Sequence, residues 1–139
     1  MVRIIGIHEM SNDTVDTQIL LVEDEALIAM AESHMLEKQG FRVKTVLNGT
    51  DAIREGLKNE IDLILMDIDL GRNRMDGTEA SKKILEQRDV PIIFLTSHSE
   101  KEYVSRVRGI TRYGYILKNS GIFVLFQAIE KALESFNQK

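Results

Sequence analysis

The chain has 139 residues, 43% of them hydrophobic and 29% charged, which suits one globular domain with a real apolar core. It has no cysteine, which excludes disulfides, thiol chemistry and thiolate metal sites, and its formal net charge of −4 argues against a partner that needs a basic face, such as nucleic acid. No apolar run approaches the roughly 18 residues of a membrane span, and MVRIIGIHEM lacks the organisation of a signal peptide, so the expected location is cytoplasmic.

Residues 1–16 read as an N-terminal extension, expected to be partly disordered, ahead of a domain at 17–139. MVRIIGI is apolar and SNDTVDT is polar and turn-prone. Two readings stay open there, a short extra strand or sequence appended to the domain. QILLVE is an apolar run ending in acids. EALIAMAESHMLEKQG predicts a helix with Leu27, Met30, Ala31 and Met35 on one face and Gly40 as its stop. FRVKTVL alternates as a strand. DAIREGLKN predicts a helix with Ala52, Ile53, Gly56 and Leu57 on one side, IDLILMD a strand, and TEASKKILEQR a further helix. VPIIFLTS is a buried strand with Pro91 near its start, where proline is tolerated. SEKEYVSRVRG predicts a polar helix opened by Ser99, with Glu102 at capping-box spacing. YGYILK is a fifth strand, and 122–136 a last helix with Leu125, Ile129, Ala132, Leu133 and Phe136 in register. Strands alternating with helices, three of them near-continuous apolar runs, predict an α/β domain whose parallel sheet is covered on both faces. Ligands of such sheets bind beyond the carboxyl ends of the strands.

Those ends carry the chemistry. The first strand ends in Glu23 and Asp24, the third in Asp67 with Asp69 just beyond, the fourth in Thr96 and Ser97, the fifth in Lys118. Clustered carboxylates resist ionising unless a cation is present, and oxygen donors of this kind suit Mg²⁺. A lysine reaching in can hold a phosphoryl oxygen as a point charge, and a neighbouring hydroxyl can donate to the same group. Together the set fits phosphoryl transfer to a carboxylate. Each residue alone has a plainer reading: Asp24 or Thr96 as a helix cap, Lys118 as a surface lysine. Their joint occurrence, in order on the right strands, favours the site.

With those residues in hand, LLVEDEALI, LILMDIDL, MDGTEA, PIIFLTS and GYILK together resemble the receiver domain of two-component response regulators, over about residues 18–137. The resemblance implies a flavodoxin-like (βα)5 fold with strand order 2-1-3-4-5. It implies Asp67 as phosphoacceptor. Asp24 would be a direct Mg²⁺ ligand, Glu23 would act largely through water, and the backbone carbonyl of Asp69 would be a further ligand. Thr96 would bond the phosphoryl group, Lys118 would pair with it, and Tyr115 would be the aromatic switch residue. The donor would be a histidine kinase or phosphotransfer protein, or a small acyl phosphate. The details look most similar to receivers of PAS-containing hybrid sensor kinases.

Several positions depart from the family's pattern. Asn119 follows Lys118 where proline is common, so either a trans bond with a remodelled loop or a cis bond costing about 2.5–4 kcal/mol is expected. The loop from Asp67 to Asp76-Gly77 is longer by about two residues than the family's pattern and carries Arg72 and Arg74, either solvated or facing the acidic pocket or the kinase. Asp69 and His98 stand where the family tunes phosphoryl lifetime. Tyr115 could equally be packing. Phe123 and Phe126 fall outside the last helix's stripe, which leaves room for a homodimer through the fourth helix, fifth strand and fifth helix. His8 and His34 have no evident metal partners and read as structural.

Two other functions compete. Phosphatases of the haloacid dehalogenase class also place D-x-D after an apolar strand, with Asp69 then the general acid/base, but on the first strand rather than the third. A pseudo-receiver would keep the fold as a binding module without being phosphorylated. The expected function is phosphoacceptance with self-catalysed phosphorylation and dephosphorylation, not catalysis on a separate substrate. After Phe136 only Asn137, Gln138 and Lys139 remain, so a stand-alone or excised receiver is expected, signalling through protein contacts rather than a DNA-reading segment.

Overall fold

A computed structural model describes residues 16–70, 75–97 and 101–138, excepting the side chains of 101–104. Five strands form one parallel sheet: β1 (Gln18–Val22), β2 (Arg42–Val46), β3 (Leu63–Asp67), β4 (Ile92–Thr96) and β5 (Tyr115–Leu117). Between and after them lie α1 (Ala26–Lys38), α2 (Gly49–Gly56), α3 (Gly77–Leu85), α4 (Lys101–Arg108) and α5 (Ile122–Asn137). The strand order is β2-β1-β3-β4-β5, the expected doubly wound arrangement.

Period-two alternation divides the apolar strands between two cores. Leu20, Val22, Ile64, Met66, Ile92 and Phe94 face α2, α3 and α4, where they meet Ala52, Ala80, Ile84 and Val107. Ile19, Leu21, Leu63, Leu65, Ile93 and Leu95 face α1 and α5, where they meet Ala29, Leu36, Leu125, Ile129 and Ala132. Both faces of β1, β3 and β4 are therefore dry, which is why their sequences read as unbroken apolar runs. Gly56 lets α2 sit close to the sheet: a Cβ there would lie 2.9 Å from Ile84 Cδ1 and 3.1 Å from Ile64 Cδ1.

The first helix departs from its expected orientation. Leu27, Met30, Ala31 and Met35 form the stripe the periodicity picks out, yet they face outward, with Leu27 80% and Met30 66% exposed. The buried side instead carries Ala29 and Leu36, with half-buried Glu32 and Ser33 between them. Small Ala29 permits close approach to the sheet. The apolar periodicity reports a stripe without saying what covers it. The last helix follows expectation, burying Leu125, Ile129 and Ala132 with Leu133 and Phe136 half buried. Of its two extra aromatics, Phe126 packs against the second core and Phe123 stays 78% exposed.

The peptide after Lys118 is trans, as are all described peptides. The turn is remodelled rather than strained: Ser120 N–H and Oγ both donate to the Leu117 carbonyl, at 3.0 and 2.7 Å, and Gly121 takes φ +102° before α5. No described helix is long and apolar enough to cross a membrane. The expectations for residues 1–15, Arg72, Arg74, His98 and the Ser99 cap lie outside the described residues.

Candidate functional site

Four strands deliver the site from their carboxyl ends. β1 runs buried into Glu23, whose N–H donates to the Val46 carbonyl at 3.1 Å and so is fixed against β2. β3 runs into Asp67, which is 4% exposed, and β4 into Thr96, which is 2% exposed. β5 pairs with β4, Thr96 opposite Leu117, and the Lys118 N–H donates to the Thr96 carbonyl at 2.8 Å. Lys118 is thereby carried past the sheet edge toward the acids.

Its ammonium lies 2.7 Å from Glu23 Oε2 and 3.1 Å from Asp67 Oδ2. Glu23, Asp24 and Asp67 each offer a carboxylate oxygen, all within 4.8 Å of one another. Asp67 Oδ1 also accepts from the Asp69 N–H at 3.2 Å. An open cavity of about 370 Å³ is lined by Glu23, Asp24, Glu25, Asp67, Asp69, Ser97 and Lys118. Asp24 is not used as a helix cap, because the N-cap of α1 is Glu25 and its side chain makes no capping bond.

The electrostatics follow from burial and crowding. Burial pushes the Asp67 carboxyl up to about 7; Lys118 opposes this and Glu23 adds to it. Burial, and then the neighbouring Glu23, also raise Asp24. Burial alone would lower Lys118, but its bond to Glu23 and the charge of Asp67 hold it above the usual lysine value. Five acids thus line the cavity against one ammonium, an excess of negative charge that a divalent cation would relieve. The donors are all oxygen, which fits a hard cation such as Mg²⁺.

Glu23, Asp24, Asp67 and Lys118 are therefore brought together as the sequence suggested. Asp69 is exposed at the cavity rim, and Ser97 rather than Thr96 lines the cavity wall. Tyr115 is half buried on the core face shared with Phe94, opposite which it pairs, two residues before the rung of Thr96. Sequence reasoning missed Glu25 in the lining and Glu32 on α1, which feels the charges of Glu23 and Lys118. Glu32 Oε1 is buried without a hydrogen-bond partner among the described residues, and burial, with Glu23 nearby, raises its carboxyl. Nothing in the helical pattern of α1 marks Glu32, since its position follows only from which face packs on the sheet.

Comparison with known proteins agrees with this architecture. The family described as Response regulator receiver domain matches residues 19–130. The transcriptional regulatory protein PdtaR of Mycobacterium tuberculosis is 34% identical over 125 residues, covering 89% of this chain and 60% of that protein, so the chain spans about three fifths of this relative's length. The N-terminal domain of a response regulator/sensory box/GGDEF 3-domain protein from Carboxydothermus hydrogenoformans superposes with a TM-score of 0.78 at 36% identity, covering 88% of this chain and 98% of that one. A CheY-like response regulator receiver domain protein from Methanospirillum hungatei shares the fold, with a TM-score of 0.80 at 24% identity over 88% and 97% of the two chains.

Proposed function

The chain belongs to the response regulator receiver domain family, and on that premise we propose that it accepts a phosphoryl group on Asp67 with Mg²⁺ as cofactor. The observation that carries this reading is the meeting of three carboxylates within 4.8 Å at the tips of β1 and β3, with the Lys118 ammonium 3.1 Å from Asp67. Asp24, Asp67 and the Asp69 backbone carbonyl would hold the ion, with Glu23 acting largely through water. When bound, Mg²⁺ supplies positive charge to the acids and to the phosphoryl oxygens.

The chain's own residues do the rest. An Asp67 carboxylate oxygen forms a bond to phosphorus as the bond from phosphorus to a donor imidazole nitrogen, or to the oxygen of an acyl phosphate, breaks. The leaving group keeps that electron pair. Burial at the end of a strand fixed on both sides holds the nucleophile in line. Lys118 pairs with a phosphoryl oxygen and the Thr96 hydroxyl donates to another, and Tyr115 follows Thr96 on the shared face. Phosphorylation and its reversal are self-catalysed, with no separate substrate turned over.

The donor is a sensor histidine kinase or phosphotransfer protein. Leu27, Ile28 and Met30, exposed on α1 directly after the acidic run, offer it an apolar docking stripe beside the cavity. The output surface is α4, β5 and α5, where exposed Phe123 and half-buried Tyr115 lie, and it reads out to a protein partner or a second copy. Titration with beryllofluoride, a phosphoryl mimic, tests the site. Binding should require Mg²⁺ and be lost in Asp67→Asn and Asp24→Asn. Binding that survives either substitution would sink the reading, and many turnovers of a phosphoester would favour a phosphatase instead.

A further inference from the structure

One polar contact away from the acidic cavity joins two elements remote in sequence. Arg106, on α4, donates through Nη2 to Asp76 Oδ2 and, at 2.9 Å, to Thr78 Oγ1. Asp76 is itself held fast as the N-cap of α3. Its Oδ1 accepts from the N–H of Thr78 at 2.9 Å, the N–H of Glu79 at 3.0 Å and the Thr78 hydroxyl at 2.6 Å. The Glu79 side chain accepts in return from the Asp76 N–H at 3.3 Å, completing a capping box. The next residue, Gly77, presses on the strand tip. Its N–H donates to the Ile68 carbonyl at 2.9 Å, and a Cβ there would lie 2.1 Å from the Asp67 carbonyl oxygen. A continuous run of contacts therefore leads from the backbone of Asp67, through Gly77 and Asp76, to the guanidinium on α4. The close Gly77 contact at the strand tip transmits displacement rather than absorbing it.

We propose that Arg106 is a latch fastening α4 to the capped start of α3, so that the position of α4 is coupled to the phosphorylation of Asp67 through the Gly77 contact. This rests on the phosphoacceptor reading above. The closed latch belongs to the resting arrangement, and phosphorylation opens it. Coupling is reciprocal: if a phosphoryl group at Asp67 opens the latch, removing the latch favours the phosphoryl-bearing state. Arg106 is a positioning residue, since its bonds to Asp76 and Thr78 lie outside the cavity lining.

The test uses the whole chain as wild type, Arg106→Gln and Arg106→Lys. Amide hydrogen exchange across α4 is read alongside the affinity for beryllofluoride in Mg²⁺. Arg106→Gln should speed exchange in α4 at rest and bind beryllofluoride at least about fivefold more tightly, the lower end of usual coupling strengths. Arg106→Lys should recover part of both effects, and wild type should gain α4 exchange once beryllofluoride is bound. Faster exchange in Arg106→Gln with unchanged affinity would make the contact a structural staple and overturn the proposal. Unchanged exchange would overturn it as well. Wild-type protein that takes up no beryllofluoride would remove the phosphoacceptor reading and the coupling with it. That failure appears in wild type, whereas failure of the latch alone appears only between wild type and variant.

Discussion

As the proposed phosphoacceptor, Asp67 meets two conflicting demands: a nucleophile must be ionised, yet this carboxyl is buried beside two other acids. Its value of about 7, against 3.8 for an ordinary aspartate, means that without a divalent cation the folded chain binds a proton more tightly than the unfolded chain. Between those two values the folded state holds the extra proton, so stability falls as pH rises from about 4 to about 7. Asp67→Asn removes this penalty. In EDTA the variant should gain on wild type by roughly 2–4 kcal/mol between pH 5 and pH 8, because each tenfold change in proton affinity is worth about 1.4 kcal/mol. Urea unfolding at the two pH values measures it, and a gap independent of pH would contradict the burial argument. If the proposed Mg²⁺ site holds, adding Mg²⁺ should stabilise wild type and leave Asp67→Asn nearly unmoved, because only the intact cluster would bind the ion. At this scale the sequence was highly legible. Glu23, Asp24, Asp67 and Lys118 each end an apolar strand, and a parallel sheet leaves strand ends on one edge. Glu32 was not legible, because its burial depends on the rotation of α1 about its own axis.

Elements are joined by contacts that no local pattern announces. Arg88, just after α3, donates to the carbonyls of Gly56, Lys58, Asn59 and Ile61, tying down the segment between α2 and β3. These carbonyls belong to the end of one helix and the loop after it, where orphan acceptors collect. Arg88→Ala should lower the unfolding free energy by roughly 2–3 kcal/mol, since bonds from a charged donor are the stronger kind. A denaturant midpoint unchanged by the substitution would show that water serves these carbonyls equally well. Neither Arg88 nor Arg106 stands out in the sequence, since an arginine near a helix end is usually read as a solvated charge. The strands and helices themselves were legible from their periods. What periodicity could not supply was the facing of α1, because an apolar stripe serves a core and a partner equally. Nor could it settle the turn after Lys118, where Asn119 admitted two backbones and the chain takes the trans one.

At the scale of the molecule, apolar surface is left exposed on α1, a few residues after the acids that line the cavity. Leu27, Ile28 and Met30 on α1 flank the run Glu23–Glu25, so a protein donor seated over Asp67 would cover them. Leu27→Glu combined with Met30→Glu should slow phosphotransfer from a protein phosphohistidine by about tenfold or more, since burying one such side chain contributes about 1.5–3 kcal/mol. The same pair should leave phosphorylation by acetyl phosphate unchanged. Equal slowing with both donors would mean that the substitutions disturb the site rather than docking. The proposed switching and docking both require that Asp67 take the phosphoryl group. The decisive measurement is intact mass after incubation with acetyl phosphate and Mg²⁺, run beside an EDTA sample and Asp67→Asn. A single phosphoryl increment in wild type, absent from both controls, is the predicted result. No increment in wild type, or one that persists in Asp67→Asn, would contradict it.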